Sequence, residues 1–473
     1  MGRRPGNQRP TTLDLFAGAG GFSIGLERAG FRSVGAIELN ARAAETWASA
    51  HPEGILWGGP QHGDMRRIDP RMVKRRLAAE GIRELDLVTA GPPCQGFSRV
   101  GRAKLNSLAD KAGAFRRDPR NVLFRRAIDF LEVLQPRAFI FENVVGILHL
   151  AGTNMAEVVC EAIREVGYDV RCAVLNAAWY GVPQMRERVV IIGIRADLGV
   201  EPEFPVITHR IPHRRGMICT AELDDRLWEE PAFFVQHDLL PRKRRLSPAV
   251  SVQGALNDLP PFTAHLEAKR AARKMPSQRP FHPAVAYRRG RANSYGTLMR
   301  RWPGHRSVDV HDHFCRFTPR DFGTFRGMRP GDRYPEALAV AHHLWERAKW
   351  DARERGARPP PARAFVPPYR NDGFPDKWRK LIPDEPSWTI TAHLAKDTYS
   401  HIHYDSAQAR MITPREAARL QSFPDGMHFH GNTGEMFTQI GNAVPPLLAT
   451  AIGAAVQKTL LGATGSRRHR RVA

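Results

Sequence analysis

Cysteine is scarce in this sequence, and long apolar runs are absent. The 473 residues include 5 cysteines, none in a C-x-x-C pair, so the sequence supports neither a zinc site nor a disulfide framework. We therefore expect no metal and a reducing, cytoplasmic setting. No apolar run reaches the roughly 18 residues that a membrane span needs, and the basic N-terminus lacks the apolar core of a secretory signal. We expect no membrane partner.

Acidic residues are few relative to basic ones. The chain has 48 Asp and Glu against 71 Lys and Arg, a formal net charge of +23, and arginine greatly outnumbers lysine. Such an excess favours a polyanionic partner, of which nucleic acid is the first candidate. An arginine-rich composition can also reflect codon usage, with the charge solvated at the surface, so charge alone does not decide the partner.

The N-terminal residues predict a nucleoside-binding unit. Residues 13–16 form a short apolar strand, and Gly18, Gly20 and Gly21 then make a turn without side chains. An apolar helix and a second strand follow, and this strand ends at Glu38. An acid about 20 residues after the glycines can accept hydrogen bonds from ribose hydroxyls. The spacing differs from G-x-G-x-x-G, which disfavours a nicotinamide-dependent enzyme.

Three reactive side chains follow predicted strands or helices. Asp64 lies in a loop where it could accept from an adenine amino group or simply stabilise a turn. Cys94 lies in a Pro- and Gly-rich turn after an apolar strand, and Glu142 ends another strand. Ligands of open α/β sheets bind at the carboxyl ends of strands, so we expect the thiol and the carboxylate at one edge. Alone, Cys94 could be a buried structural thiol and Glu142 a capping residue.

Basic side chains flank these candidates. Arg186 and Arg188 alternate with the pleat of a buried strand and so share a face. Two guanidinium groups on one face favour an anionic or carbonyl-bearing ligand, although a surface pair is the simpler alternative. The polar, basic residues 99–121 indicate a loop over the thiol that can meet phosphates.

Composition and motifs predict four segments. Residues 1–199 form the catalytic domain, and residues 200–385, rich in Pro, Arg, His and Trp, form an irregular inserted domain. Residues 386–461 return to the catalytic domain, and the basic tail of residues 462–473 is predicted to be disordered. Within the returning segment, Thr413, Pro414 and Glu416 predict the capped start of a helix.

Six motifs together resemble the cytosine-5 DNA methyltransferases of bacterial restriction–modification systems. They occur in the family's order at both ends of the chain: DLFAGAGGF from Asp14, GPPCQGFS from Gly91, ENV from Glu142, QMRER from Gln184, ITPREAARLQSFP from Ile412 and QIGNAVPP from Gln439. The resemblance implies the class I S-adenosylmethionine-dependent methyltransferase fold. This is an α/β fold with a Rossmann-like, mostly parallel sheet and helices on both faces, here with an inserted target-recognition domain.

The resemblance also implies a role for each motif residue. Cys94 would be the nucleophile, Glu142 the partner of the cytosine ring nitrogen, and Arg186 and Arg188 supports of the flipped base. The residues implied in binding S-adenosylmethionine are Phe16 on the adenine, Glu38 on the ribose, Asp64 on the adenine amino group, Asn442 at the methionine end, and Ala17, Gly18, Gly20, Gly21 and Pro92. Those implied in DNA contact are Gln95, Ser98, Arg99 and, by a looser alignment, Thr389.

The implied activity is methylation of carbon 5 of a cytosine in a specific duplex DNA site, in restriction–modification or as an orphan modification enzyme. The partner would be double-stranded DNA, and a cognate restriction endonuclease would be a partner in function without a stable complex. We expect a monomer in the bacterial cytosol. The alternative is an RNA (tRNA) cytosine-5 methyltransferase of the same fold, which usually carries a shorter variable region. A nucleic-acid-binding protein with a decayed catalytic core is disfavoured by the intact motifs.

Overall fold

The chain folds into two compact units. The computed structural model describes residues 9–93, 123–149, 154–211, 231–235, 239, 245–270, 284–369 and 377–469. The first unit comprises Met1–Ala249 and Ala443–Ala473, and the second comprises Val250–Asn442. These boundaries follow packing, whereas the division at residues 200 and 386 follows motifs and composition, and that functional division stays a prediction.

A seven-stranded sheet organises the first unit. Its spatial order is β3-β2-β1-β4-β5-β7-β6. Strands β1 to β5 are parallel, and β7 runs antiparallel to both of its neighbours. The strands are β1 Thr11–Leu15, β2 Arg32–Glu38, β3 Ile55–Gly58, β4 Leu87–Ala90, β5 Ala138–Val144, β6 Tyr168–Asn176 and β7 Glu187–Arg195. The mostly parallel sheet predicted from the sequence is confirmed.

Helices cover both faces of this sheet. The helices are α1 Gly21–Arg28, α2 Ala41–Ala50, α3 Gly59–His62, α4 Pro70–Ala79, α5 Leu123–Leu134, α6 Met155–Glu165 and, after the second unit, α14 Pro446–His469. Alternate residues of one strand enter different cores: Phe139 packs with α4, α5 and α6, whereas Ile140 packs with α1 and α14. This alternation places one apolar core on each face.

Glycines allow α1 to approach the start of α14 closely. A Cβ atom on Gly21 would lie 2.2 Å from the carbonyl oxygen of Val444, and one on Gly25 would lie 2.4 Å from that of Pro446. Both distances are far below van der Waals contact, so only glycine fits at either position. The returning C-terminal segment is therefore packed against the helix that follows the predicted glycine turn.

One apolar segment has the length and composition of a membrane span. It is Thr433–Ala463, and 56% of its most apolar window is buried inside the protein. The segment is also interrupted between Asn442 and Pro446, where the chain leaves one helix and begins another. Burial of this kind is typical of core helices.

Short elements and one helix of 21 residues build the second unit. Its helices are α7 Val252–Leu256, α8 Ala264–Arg270, α9 Ser294–Arg300, α10 Phe322–Gly327, α11 Tyr334–Glu354, α12 Pro414–Leu420 and α13 Thr433–Asn442. Two-residue strands form small pairs. In the first unit the pair is β8 His209–Arg210 with β9 Ser247–Pro248. In the second unit the pairs are β10 Val285–Ala286 with β13 Asp309–Val310 and β11 Arg301–Trp302 with β12 His305–Arg306.

Buried ion pairs also hold this second unit together, around α12. The fully buried Arg419 pairs with Asp258 at 2.9 Å and with Asp425 at 2.5 Å. Arg410, also buried, pairs with Glu416 at 2.7 Å. Glu416 also closes the capping box on Thr413 at the start of α12, which confirms the helix start predicted from the sequence.

Candidate active site

The turn after β1 has a strained backbone and an open side. Phe16 has a φ of 59°, and Gly18 and Gly20 have φ values of 56° and 88°, in the left-handed region that a side chain disfavours. A Cβ atom on Gly18 would meet nothing within 4 Å, so the backbone there is open to a ligand. Strain in a bulky residue such as Phe16 is characteristic of functional sites.

Glu38 ends β2, as the sequence predicted, and lies against this turn. The backbone N–H of Gly18 donates to Oε2 of Glu38 at 2.8 Å, and that of Asn40 donates to Oε1 at 2.7 Å. Burial raises the pKa of the Glu38 carboxyl. Each carboxylate oxygen keeps a second lone pair for a hydroxyl group.

The next residue, Leu39, is a large hydrophobic side chain that is 47% exposed, a candidate cofactor contact that the sequence reasoning missed.

Asp64 is buried and held by an arginine. Nε and Nη2 of Arg66 donate to its two carboxylate oxygens at 2.9 Å and 2.8 Å. The side-chain hydrogen bonds from Arg66 keep the pKa of Asp64 below its ordinary value. Sequence reasoning did not find this partner, although an arginine two residues after an aspartate is a short-range signal. The carboxylate is therefore fixed in place, and its role with adenine stays a prediction.

The chain segment that leads to Cys94 contacts the carboxyl end of β5. The backbone N–H of Gly91 donates to the carbonyl of Leu15 at 3.4 Å, and a Cβ atom on Gly91 would lie 3.5 Å from Oε2 of Glu142. The amide of Asn143 donates to the carbonyl of Pro92 at 3.4 Å. The ends of β1, β4 and β5 thus meet at one edge, as predicted. Cys94, Gln95, Ser98 and Arg99 lie outside the described residues.

Glu142 forms an ion pair with Arg188. Nε of Arg188 lies 2.8 Å from Oε1 of Glu142, and their side chains are 12% and 11% exposed. On β5, Val144 lies directly opposite Arg188 of β7. Glu142, two residues before Val144, is therefore the diagonal neighbour of Arg188 on the same face of the sheet. The structure therefore joins two of the predicted catalytic residues at the edge where Gly91 and Pro92 lie.

Arg186 lies one residue before β7 and has a different partner. Its side chain is 2% exposed, and Nη2 donates to the carbonyl of Ala443 at 3.0 Å. The buried Arg186 therefore links the start of β7 to the returning C-terminal segment. Asn442 and Thr389 belong to the second unit. Asn442 is exposed at the end of α13 and Thr389 is half-buried, and the roles of both stay predictions.

Comparison with known proteins identifies the family. The sequence profile described as C-5 cytosine-specific DNA methylase matches residues 11–307 and 323–458. The chain belongs to this family. The methylase is 34% identical over 470 residues to M.OihORF3336P of Oceanobacillus iheyensis, with 96% of each chain covered. It is 31% identical over 466 residues to the type II methyltransferase M.AgeI of Thalassovita gelatinovora, with 94% of this chain and 99% of that one covered.

A solved structure supports the fold of the methylase. The crystal structure of a DNA modification methyltransferase encoded within a prophage of E. coli matches with a TM-score of 0.62 at 20% identity. The match covers 96% of this chain and 99% of that one, and it shows the shared fold. The predicted class I methyltransferase fold is confirmed, and the chain is a DNA cytosine methyltransferase of the restriction–modification type.

Two further features of the methylase concern possible metal ligands and a buried acid on β1. Among the described residues, no group of three or more His, Cys, Asp and Glu side chains is arranged to hold a metal ion. Asp14, in the first motif, is buried on β1 and accepts hydrogen bonds from the hydroxyls of Thr89 at 2.8 Å and Ser23 at 2.9 Å. Burial raises the pKa of Asp14 to about 7. The sequence reasoning assigned no role to Asp14, although an acid inside a buried strand is a signal.

Proposed function

We propose that this methylase transfers a methyl group from S-adenosylmethionine to carbon 5 of a cytosine that is flipped out of duplex DNA, through a transient bond between Sγ of Cys94 and carbon 6. The observation that carries the proposal is that the segment before Cys94, the end of β5 and the start of β7 lie together. Gly91 and Pro92, just before Cys94, adjoin Glu142 and Asn143, and Glu142 is paired with Arg188.

The residues at the end of β1 and β2 fit S-adenosylmethionine. The backbone at Gly18 is open, since a Cβ atom there would meet nothing within 4 Å, which suits the approach of a nucleoside, and the oxygens of Glu38 suit the ribose hydroxyls. Leu39 offers an exposed apolar surface, and the fixed carboxylate of Asp64 suits an amino group. Phe16, Ala17, Gly20, Gly21, Pro92 and Asn442 complete the proposed cofactor contacts. When bound, S-adenosylmethionine supplies an electrophilic methyl group on its sulfonium sulfur.

Cysteine suits the proposed chemistry because carbon 5 of cytosine is a poor nucleophile in the aromatic ring. When the thiolate of Cys94 adds to carbon 6, the Sγ–C6 bond forms, aromaticity is lost and carbon 5 gains enamine character. This is covalent catalysis, which divides one difficult step into easier ones. After carbon 5 has been methylated, it loses its proton, the Sγ–C6 bond breaks and the aromatic ring is restored.

Glu142, Arg188 and Arg186 act on the pyrimidine during this addition. Charge develops on the ring nitrogen as Cys94 adds, and Glu142 is proposed to hydrogen-bond to that nitrogen. Arg188, paired with Oε1 of Glu142 at 2.8 Å, fixes the orientation of the carboxyl group and offers its remaining N–H donors to the base. Arg186 donates to the carbonyl of Ala443. This hydrogen bond ties the start of β7, next to the proposed position of the base, to the C-terminal segment.

The base must leave the duplex for this chemistry, at a cost of a few kcal/mol. The excess of basic residues, +23 over the whole chain, provides phosphate contacts that offset this cost. We propose that Gln95, Ser98, Arg99 and Thr389 contact the DNA near the flipped nucleotide. We further propose that the methylase acts as a monomer in the bacterial cytosol, that the predicted segment 200–385 recognises the target, and that any cognate endonuclease acts separately.

Bisulfite sequencing tests the proposed function. The methylase is expressed in a bacterial host that lacks cytosine-5 methylation, with Cys94→Ala as the matched control. We expect protected cytosines in one short sequence context, and none with the variant. Tritiated methyl incorporation into duplex DNA and into tRNA, measured side by side, tests the substrate. Incorporation into tRNA alone would support the RNA alternative and overturn the proposal.

A further inference from the structure

The indole of Trp47 packs against the back of the glycine turn. Trp47, on α2, is completely buried. A Cβ atom on Gly20 would lie 2.9 Å from its Cδ1 atom, closer than a real Cβ contact allows. Trp47 also packs with Ala17 and Ala36 in one small core. The indole therefore contacts the turn on both sides of Gly18, the residue whose N–H donates to Glu38.

A chain of buried hydrogen bonds fixes the orientation of this indole. Nε1 of Trp47 donates to Oγ of Ser23 at 2.9 Å. Ser23 in turn donates to Oδ2 of Asp14 at 2.9 Å, and Oδ1 of Asp14 accepts from the hydroxyl of Thr89 at 2.8 Å. All four side chains are buried. These hydrogen bonds join α1 and α2, which begin near the proposed cofactor site, to β1 and β4, which end there.

The imidazole of His51 also packs on this indole and approaches the turn, because a Cβ atom on Gly20 would lie 3.3 Å from its Cε1 atom. The ring of His51 stacks on Trp47, with 4.5 Å between ring centroids and an interplanar angle of 18°. Nδ1 of His51 lies 3.0 Å from the carbonyl oxygen of Trp47, and Nε2 lies 3.6 Å from Oε1 of Glu27 on α1. The indole is thus held by stacking and by its N–H group.

We propose that Trp47 is a positioning residue for S-adenosylmethionine, and that Ser23 and Asp14 act through it. The indole sets the position of the backbone on either side of Gly18, and with it the contact between Gly18 and Glu38. This inference rests on the proposed cofactor site at Gly18 and Glu38. A different tilt of the indole would displace the Gly18 N–H from the carboxylate without affecting the edge where Glu142 and Arg188 lie.

Cofactor binding by Ser23→Ala tests the proposal, because this change removes the hydroxyl that joins Trp47 to Asp14 and leaves every turn residue in place. We expect the Kd for S-adenosylhomocysteine, measured by calorimetry, and the KM for S-adenosylmethionine to rise about tenfold, the effect of one lost buried hydrogen bond. The kcat at saturating cofactor and the KM for DNA should stay within about twofold, because the change leaves the pair of Glu142 and Arg188 in place. Trp47→Phe, which keeps a ring and loses the N–H, should give the same pattern.

Tyr168→Phe is the matched control, since it removes a buried hydrogen bond, from the hydroxyl to the carbonyl of Pro136 at 2.7 Å, at the far edge of the sheet. It should lower the thermal midpoint comparably and leave cofactor binding unchanged. Cofactor binding by Ser23→Ala and Trp47→Phe equal to that of the control would overturn the role of Trp47. Glu38→Gln separates the two proposals, because unchanged binding in that variant would mean that the cofactor site itself is wrong.

Discussion

Nε of Arg188 lies 2.8 Å from Oε1 of Glu142, across neighbouring strands that run in opposite directions. Because β7 is antiparallel to β5, the start of β7 meets the end of β5. Two motifs that are far apart in sequence thereby share the edge of the sheet next to Gly91 and Pro92. A parallel β7 would have placed Arg188 at the opposite edge.

Glu142→Gln should slow single-turnover methyl transfer by about 10²–10⁴-fold, the usual contribution of a positioned acid or base. Arg188→Gln should also slow the reaction, because it leaves the Glu142 carboxyl without its partner. Since the two residues act as one unit, the double variant should be little slower than the slower single variant. Rapid-quench measurement of methyl incorporation checks all three rates.

Arg195→Gln is the control for this series. Arg195 ends the same strand and forms ion pairs with Glu84 at 3.2 Å and Asp197 at 2.8 Å, far from the proposed chemistry. Its transfer rate should match that of the wild-type enzyme. Effects of Glu142→Gln and Arg188→Gln that simply multiply in the double variant would refute the coupling.

Glu38→Gln should weaken cofactor binding by about tenfold or more, because one oxygen that accepts a backbone N–H is replaced by an NH₂ group. Either Gly18 or Asn40 would then face a donor instead of an acceptor. Calorimetric titration with S-adenosylhomocysteine measures the loss. Glu45→Gln, on the exposed face of α2 where Glu45 pairs with Arg42, should bind normally, and equal affinities of the two variants would contradict the assignment.

The contribution of Asp14 to stability should fall as the pH rises from about 4 to about 7. Burial raises its pKa from 3.8 to about 7, so over this interval the folded chain holds a proton that the unfolded chain has released. One such proton contributes a slope of about 1.4 kcal/mol per pH unit. Below this interval both states are protonated, and above it both are ionised.

Asp14→Asn should therefore remove this contribution, so that the urea midpoint of the variant falls less, or rises more, than that of the wild-type enzyme between about pH 4 and pH 7. The dependence that remains should include that of Glu27, whose pKa burial also raises to about 7, and the opposite contribution of buried histidines such as His313, whose pKa burial lowers to about 4. Parallel profiles for the two proteins from pH 4 to pH 8 would show that Asp14 does not titrate in this range.

Gly25→Val should destabilise the first unit by about 1–3 kcal/mol or more, the usual cost of overpacking. Its Cβ atom would lie 2.4 Å from the carbonyl oxygen of Pro446 and 2.5 Å from Cβ of Ala449. Gly462→Ala, at an exposed site on α14 where a Cβ atom meets nothing within 4 Å, is the control and should be neutral or slightly stabilising. Urea unfolding measures both, and equal midpoints would rule out the close packing of α1 on α14.

Local patterns in the sequence predicted the sheet, the glycine turn and the position of Glu38 at the end of the second strand, because each depends on residues close in the chain or on strand ends. They also predicted Glu142 at the edge of the sheet. Trp47 beneath the turn was not predicted, because an indole in an amphipathic helix gives no sign of which loop it supports. The direction of β7 depends on strand pairing, which periodicity does not encode.

The second unit shows where sequence reasoning fails most clearly. Arg419 contacts Asp258 across 161 positions in the sequence, and no local pattern marks such a pair. The alternation of Trp388 and Ile390 is typical of a strand, yet this stretch forms no regular strand and is followed by a short 3₁₀ helix, Ala392–Ala395. Buried charge pairs between residues far apart in the sequence help to order this part of the chain.

The transient bond between Cys94 and the extruded base can be tested with a duplex that carries 5-fluorocytosine at the target position found by bisulfite sequencing. Fluorine replaces the proton that must leave carbon 5, so the ring cannot be restored and the adduct persists. With S-adenosylmethionine present, we predict a denaturant-resistant protein–DNA species whose modified peptide contains Cys94, and none with Cys94→Ala. Attachment at another residue, or full methyl transfer by Cys94→Ala on ordinary DNA, would contradict the proposed mechanism.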